Sequence, residues 1–149
     1  TIIGAHHKQA VVTLVERKSG YALIAKVINK TADSVGSAII NKLSPLAPLV
    51  KTITFDNGKE FAGHSKIDAA LNSTTYFADP FASWQRGSNE NFNGLLRQYI
   101  PKKRQLSTVT DEELRMIQDQ LNNRPRKRLG FKTPSEVFMQ SLNRVALRV

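Results

Sequence analysis

Apolar and polar residues are arranged in blocks along this chain, and the spacing inside each block predicts its secondary structure. Residues 10–16 and 21–28 are rich in β-branched and aromatic side chains, and the polar segment 17–20, which ends in glycine, separates them. This pattern predicts a β-hairpin. Three further strands are predicted at residues 1–3, 50–55 and 74–77.

Other blocks carry apolar residues at helical spacing. In the segment that follows Thr31, Val35, Ile39 and Leu43 recur every four residues and form one stripe. The predicted helices span residues 31–43, 64–72 and 88–99, and two more begin at the capping patterns Thr110-Asp111-Glu112-Glu113 and Thr133-Pro134-Ser135-Glu136. This order of elements predicts one α/β domain, in which helices cover the faces of a mixed sheet.

Composition adds an electrostatic preference. The 149 residues carry a net charge of +10, and the excess is uneven: residues 1–85 hold 9 basic and 6 acidic groups, whereas residues 86–149 hold 13 and 6. A basic half favours a polyanionic partner, most often nucleic acid. The absence of cysteine excludes disulfides, zinc fingers and thiol catalysis, and no apolar run is long enough to span a bilayer.

Asp56 is the first candidate for chemistry, because it directly follows an apolar strand. A carboxylate at the end of a strand has a rigid support and faces the crevice where open α/β sheets commonly bind ligands. Asp56-Asn57-Gly58 is also a good turn sequence, and that structural role alone would explain it. Glu60 is close enough in sequence to support a metal site at Asp56.

Glu90 is the second candidate and lies near the start of the helix predicted for 88–99. Asn93 and Arg97 follow at i+3 and i+7, so we expect the three side chains to share one polar face. Such a face suits a metal ion beside a phosphate, with Arg97 as a phosphate ligand. A glutamate in a first helical turn also complements the helix dipole, which is a purely structural alternative.

These residues lie within a longer resemblance. The segments Phe55-Asp56-Asn57-Gly58-Lys59-Glu60-Phe61 and Trp84-Gln85-Arg86-Gly87-Ser88-Asn89-Glu90-Asn91-Phe92-Asn93-Gly94-Leu95-Leu96-Arg97 resemble the catalytic core of insertion-sequence transposases, in particular the insertion-sequence-thirty family, which is grouped with retroviral integrases. The closing stretch 122–137 is similar to that group as well. Asp56 and Glu90 are separated by 33 residues, as in the family pattern.

The resemblance implies a ribonuclease-H-like fold, with a mixed central sheet of about five strands flanked by helices. It also implies that two aspartates and a glutamate bind two Mg²⁺ or Mn²⁺ ions, which catalyse DNA cleavage and strand transfer. Asp56 matches the second acid, Glu90 the third, and Arg97 the basic residue that follows it. The first aspartate of the family would lie just before Thr1.

We therefore expect residues 1–149 to form a single catalytic core that is truncated at its N-terminus and inactive as given. The upstream DNA-binding region of the family is expected in the parent protein. We expect no membrane partner and no small-molecule substrate, and the family implies a homodimer or larger assembly that acts on transposon ends and target DNA. The expected location is the bacterial cytoplasm, in association with the nucleoid.

Basic side chains near the predicted site are the candidate DNA contacts, since they would neutralise backbone phosphates. The predicted DNA-binding residues are Arg86, Asn93, Arg97, Lys102, Lys103 and Arg104. A second basic cluster comprises Arg124, Arg126, Lys127 and Arg128. Two other functions remain open at this stage: a non-catalytic DNA-binding remnant of the same fold, and a ribonuclease-H-like nuclease.

Overall fold

The computed structural model describes residues 1–4, 8–82 and 87–146 of the chain. The strands are β1 (Ile2–Ile3), β2 (Ala10–Val15), β3 (Ala22–Val27), β4 (Thr52–Phe55) and β5 (Thr74–Phe77). The helices are α1 (Ala32–Leu43), α2 (His64–Leu71), α3 (Gly87–Tyr99), α4 (Asp111–Asn122) and α5 (Pro134–Ala146). These elements confirm the predicted α/β order. Within the described part of the chain, no helix is both long and apolar enough to cross a membrane.

The predicted hairpin is confirmed: β2 and β3 pair antiparallel, with Val12 opposite Ala25. The strands do not, however, form the single mixed sheet of about five strands that we expected. Strands β1, β2 and β3 form one antiparallel sheet, and β4 and β5 form a separate parallel pair. Strand β1 is short, and its two residues pair with Val11 and Ala10 of β2.

The β2–β3 hairpin separates two hydrophobic cores, because successive side chains of a strand point to opposite faces. Val11 packs with the apolar faces of α3 and α4, in a cluster that includes Leu96 and Leu121. Its neighbour Val12 packs on the other side with α1 and β4, in a cluster that includes Ile39. The helices thus cover both faces of the hairpin, as predicted.

Three helices begin at the predicted caps. The Thr31 hydroxyl accepts a hydrogen bond from the Ser34 amide (3.2 Å), and the Thr110 hydroxyl accepts one from the Glu113 amide (3.1 Å). At α5 the bonds are reciprocal, since the Thr133 amide donates to Glu136 (2.9 Å) while the Glu136 amide donates to Thr133 (3.1 Å). These bonds satisfy amides that have no partner within the helix.

Helix α4 also closes the outer edge of β3. Asn122 accepts a hydrogen bond from the Ala22 amide and donates one to the Ala22 carbonyl, both at 2.8 Å. One turn earlier, Gln118 accepts a hydrogen bond from the Ile24 amide (2.9 Å). Backbone groups that a further strand would otherwise pair are therefore satisfied by side-chain amides, which seats α4 on the sheet.

Candidate active site

Asp56 lies directly after β4, half-buried, at the end of the strand as the sequence predicts. Its Oδ1 accepts a hydrogen bond from the Gly58 amide (3.2 Å), which forms the turn. The Asn57 side chain donates to the Ala78 carbonyl (3.1 Å) just beyond β5, and the Ala78 amide donates to Phe55 (2.8 Å). These hydrogen bonds connect the turn to both strands of the parallel pair and thereby fix the backbone position of Asp56.

Glu60 supports the same turn from inside the protein. Only 8% of it is exposed, and its Oε1 lies 3.3 Å from the Lys30 ammonium, which compensates the buried charge. A Cβ atom built on Gly58 would lie 2.5 Å from Glu60 Oε2 and 3.0 Å from Asp56 Oδ1. The two carboxylates therefore flank the same small space, which only glycine leaves open.

Helix α3 carries Glu90 and is fastened to the sheet by two asparagines. The Thr13 hydroxyl in β2 lies 3.0 Å from Asn89 Oδ1 and 2.9 Å from Asn93 Oδ1. A hydroxyl has one hydrogen, so it donates to one of these amides at a time. Phe92 is buried on the same helix, whereas Glu90 is exposed. The packing leaves the Glu90 carboxylate on the solvent side of the first helical turns.

Arg97 lies about two turns after Glu90 in α3 and is half-buried, whereas Glu90 is exposed. Its guanidinium donates to the carbonyls of Ile100 and Ile3, each at 3.5 Å, and its burial lowers the pKa of the guanidinium. The three side chains of the predicted polar face therefore have different surroundings. Asn93 contacts Thr13 of β2 and Arg97 contacts the Ile3 carbonyl of β1, so both fasten α3 to the sheet, whereas Glu90 is exposed.

A cavity of about 410 Å³ connects the two halves of the predicted site. It opens between β2 and β4, and Thr13 and Asp56 contribute to its walls. The first turn of α3 lines it with Gly87, Ser88 and Asn89, directly before Glu90 in the chain, although Glu90 itself is not a lining residue. The structure thus brings Asp56 and the start of α3 to one cavity, and the meeting of the two carboxylates stays a prediction.

The donor chemistry suits a hard divalent cation, which prefers carboxylate oxygens and retains several waters. Asp56 is held at the end of a strand, and Glu90 is accessible on a firmly seated helix. In the ranges that the structure covers, no cluster of three or more histidine, aspartate or glutamate side chains is positioned to hold a metal. The roles of Asp56 and Glu90 as two of the three acidic ligands that the resemblance implies stay a prediction.

The predicted DNA contacts differ in their surroundings. Arg86 lies outside the described residues. Lys102 and Lys103 are exposed in the loop after α3. Arg104 makes a bidentate ion pair with Glu113 at 2.5 and 2.7 Å, which raises the pKa of Arg104 and lowers that of Glu113. Much of the Arg104 charge is thereby compensated within the protein.

Sequence reasoning missed the two residues that seat helices on the hairpin, Thr13 and Asn122. Both are buried polar side chains, at 5% and 3% exposure. Thr13 interrupts the apolar run of β2, and such a break is a usable signal for a buried hydrogen bond. Asn122 carries no comparable signal, because its partner Ala22 lies 100 residues earlier.

Along most of its length the chain is similar to transposases of known insertion sequences. The chain is 48% identical over 143 residues to the transposase for insertion sequence element IS4351 of Bacteroides fragilis, which covers 96% of this chain and 44% of that protein. It is 47% identical over 142 residues to the IS1086 transposase of Cupriavidus metallidurans, covering 95% and 42% of the two chains. It is 48% identical over 129 residues to transposase InsI of IS30A from Escherichia coli, covering 86% and 34%.

Solved structures identify the fold. The catalytic core domain of BIV integrase superimposes with a TM-score of 0.69 at 21% identity, covering 98% of this chain and 93% of that one. A chain of the simian T-cell lymphotropic virus intasome gives a TM-score of 0.64 at 19% identity, covering 82% and 45%. No model of a known protein family matches the chain.

The predicted resemblance and the ribonuclease-H-like fold are both confirmed by these matches. The chain spans less than half the length of the relatives named here. By sequence the chain is similar over most of its length to IS30-family insertion-sequence transposases, and its fold is that of a retroviral integrase catalytic core.

Proposed function

We propose that this chain is the catalytic core of a transposase that cleaves and joins DNA strands by phosphoryl transfer. The observation that carries the proposal is that Asp56, at the end of β4, and the first turn of α3, which leads into Glu90, line one cavity. Identity of 48% to an IS30-family transposase over 143 residues supports the assignment of that cavity to strand transfer.

Asp56 and Glu90 would hold Mg²⁺ or Mn²⁺ in this proposal. Bound divalent ions would supply Lewis-acid chemistry, activating the attacking oxygen and stabilising the leaving oxygen at phosphorus. The protein's own part is positioning: hydrogen bonds of the Gly58 amide and the Asn57 side chain hold the Asp56 turn, beside the Glu60–Lys30 ion pair. Lys102 and Lys103 would contact backbone phosphates, together with Arg86.

The strand register supports a third acid immediately before Thr1 in the parent protein. Ile3 lies opposite Ala10 and Ile2 opposite Val11, so an extended β1 would place Thr1 opposite Val12 and its predecessor opposite Thr13. Directly opposed side chains of an antiparallel pair point to the same face. The predecessor would then point with Thr13 toward the start of α3, where an aspartate would complete the site.

The chain as given is therefore proposed to be inactive, and a version extended N-terminally with aspartate before Thr1 to be active. Both forms are assayed for strand transfer of a labelled oligonucleotide duplex in Mg²⁺. Asp56→Asn and Glu90→Gln should abolish transfer by the extended form, because each amide lacks the negative charge that binds the ion. Glu112→Gln, at an exposed position in the first turn of α4, is the matched control and should retain activity.

Two outcomes would contradict the proposal. Transfer by the chain as given would remove the need for the missing acid. DNA binding by the extended form that is indifferent to Mg²⁺ and to Asp56→Asn, without transfer, would instead identify a non-catalytic DNA-binding remnant. We further propose that the parent protein has a separate DNA-binding region, acts as a dimer or larger assembly on element ends and target DNA, and works in the bacterial cytoplasm at the nucleoid.

A further inference from the structure

A rigid, strongly basic loop joins α4 to α5, and we call residues 124–132 the arginine loop. Its five basic residues are Arg124, Arg126, Lys127, Arg128 and Lys132, and it contains no acidic residue. All of them are exposed except Arg126, which is half-buried. Water and counterions solvate such exposed charges, but five of one sign within nine residues create a positive potential that attracts polyanions.

The loop is held in one conformation by its own backbone. The Arg126 amide donates to the Lys132 carbonyl (3.0 Å), and the Phe131 amide donates to the Arg126 carbonyl (2.9 Å). Between them, the Gly130 amide donates to Lys127 (3.0 Å). A loop fixed in this way presents its side chains with little entropy left to lose on binding.

The arginines of the loop are held by neutral acceptors. Arg124 donates to the Gln98 side chain (3.3 Å), Arg126 to the Leu121 carbonyl (3.1 Å) and Arg128 to the Lys18 carbonyl (3.2 Å). Burial and then the charges of Arg124 and Arg128 lower the pKa of Arg126. Across the described ranges, no carboxylate forms an ion pair with this loop. Its charge is thus ordered but uncompensated, unlike that of Arg104.

The arginine loop adjoins the predicted catalytic helix. A small cavity of about 40 Å³ is lined by Arg126 and Arg128 on one side and by Ser88 and Asn91 of α3 on the other. Ser88 and Asn91 flank Glu90 in the helix. The arginine loop therefore lies against the helix that carries Glu90, the carboxylate that we assign to catalysis.

Phe131 is the feature that the fold does not explain. Its side chain is 70% exposed, and its backbone has φ of 65°. A bulky residue in this conformation is strained, and strain of this kind collects at binding sites. Neither burial nor backbone geometry therefore explains the presence of the Phe131 ring among five cations. Stacking of the ring on a nucleobase would give it a function.

We propose that the arginine loop binds DNA beside the catalytic helix, with the arginines on backbone phosphates and Phe131 stacked on an unpaired base next to the duplex. The inference rests on the proposed function only for naming DNA as the polyanion. The contacts themselves follow from the uncompensated charge, the fixed loop and the exposed ring.

The test measures DNA binding by fluorescence anisotropy with the full chain in EDTA, so that metal-dependent chemistry plays no part. Three labelled probes are used: a DNA duplex, the same duplex with a five-nucleotide unpaired overhang, and an RNA duplex. Arg124→Gln/Arg128→Gln removes two proposed phosphate contacts. Lys42→Gln/Arg115→Gln removes two exposed charges elsewhere, on α1 and α4, and is the charge-matched control.

The loop variant should flatten the slope of log affinity against log salt by about 1.8, since each duplex phosphate contact accounts for about 0.9. The control variant should leave the slope unchanged. Equal slopes for the loop variant and the unsubstituted chain would overturn the phosphate contacts. Equal affinity for the RNA and DNA duplexes would overturn the assignment of DNA as the partner.

Phe131→Ala should weaken binding to the overhang probe about tenfold and leave duplex binding unchanged, because stacking on one base has about this effect. Phe131→Gly relieves the positive φ and should behave in the same way with an intact fold, which circular dichroism would verify. Equal weakening on both probes by both variants would overturn the stacking role. Absence of strand transfer by the extended form, with probe binding by the arginine loop intact, would overturn only the proposed function.

Discussion

Substituting Asn122 by alanine tests how α4 is seated on the hairpin. The substitution removes both 2.8 Å bonds to Ala22 and leaves its amide and carbonyl buried without a partner, since Ala22 is fully buried. Each buried polar group left unpaired costs about 1–3 kcal/mol. The expected loss is therefore about 2–6 kcal/mol, a large part of the roughly 5–15 kcal/mol that stabilises a typical domain.

Urea unfolding followed by far-UV circular dichroism would measure this loss as a lower midpoint at an unchanged slope. Asn123→Ala is the matched control: the Asn123 side chain is exposed and donates to the Asp119 carbonyl (2.8 Å), so its loss should cost less than about 1 kcal/mol. Asn122→Asp keeps an acceptor for the Ala22 amide but has no donor for the Ala22 carbonyl. Its urea midpoint should therefore be lower than that of the unsubstituted chain. Equal stability of the Asn122→Ala and Asn123→Ala variants would refute the reasoning.

Three further substitutions test the site and the turn that precedes β3. Gly58→Ala should reduce strand transfer by the extended form at least about tenfold, because the new Cβ would lie 2.5 Å from the Glu60 carboxylate and 3.0 Å from that of Asp56, so the turn that positions Asp56 must shift. Gly94→Ala, with no atom within 4 Å of its Cβ, should leave transfer unchanged. Thr13→Val should lower the free energy of unfolding by about 1–2 kcal/mol, through loss of its hydroxyl contacts with α3, and a smaller change in urea midpoint would contradict that role. Burial tends to raise the pKa of Glu16, but hydrogen bonds from the Ser19 hydroxyl and nearby amides lower it overall. Glu16 therefore stabilises the fold above its ordinary pKa of 4.5 and loses this effect as pH falls through the lower folded value, so the stability gap to Glu16→Gln should shrink on acidification below 4.5.

Local signals predicted the parts of this fold that depend on neighbouring residues. The caps at Thr31, Thr110 and Thr133 involve partners three residues away, so the helix starts could be inferred from short motifs. The hairpin likewise follows from two apolar runs joined by a polar turn ending at Gly20. Asp56 lies where the alternation of β4 ends, which is why its placement was predicted.

Contacts between distant segments were harder to predict. The division of the strands into two sheets is a matter of long-range pairing, which the periodicity of each strand does not encode. The pairing of Arg104 with Glu113 depends on how the loop after α3 turns back onto α4, so sequence alone suggested a free DNA contact. The hydroxyl of Thr13 meets Asn89 and Asn93 across more than 70 residues.

The side-chain amides of α4 along the outer edge of β3 also bear on how copies of this chain meet. An uncovered edge strand can recruit an extended segment of a second molecule and begin open-ended aggregation. Here the Ala22 and Ile24 amides are already occupied by Asn122 and Gln118. Addition of a strand from a second protomer is thereby blocked at these two positions of the β3 edge, so a second copy cannot extend the sheet there.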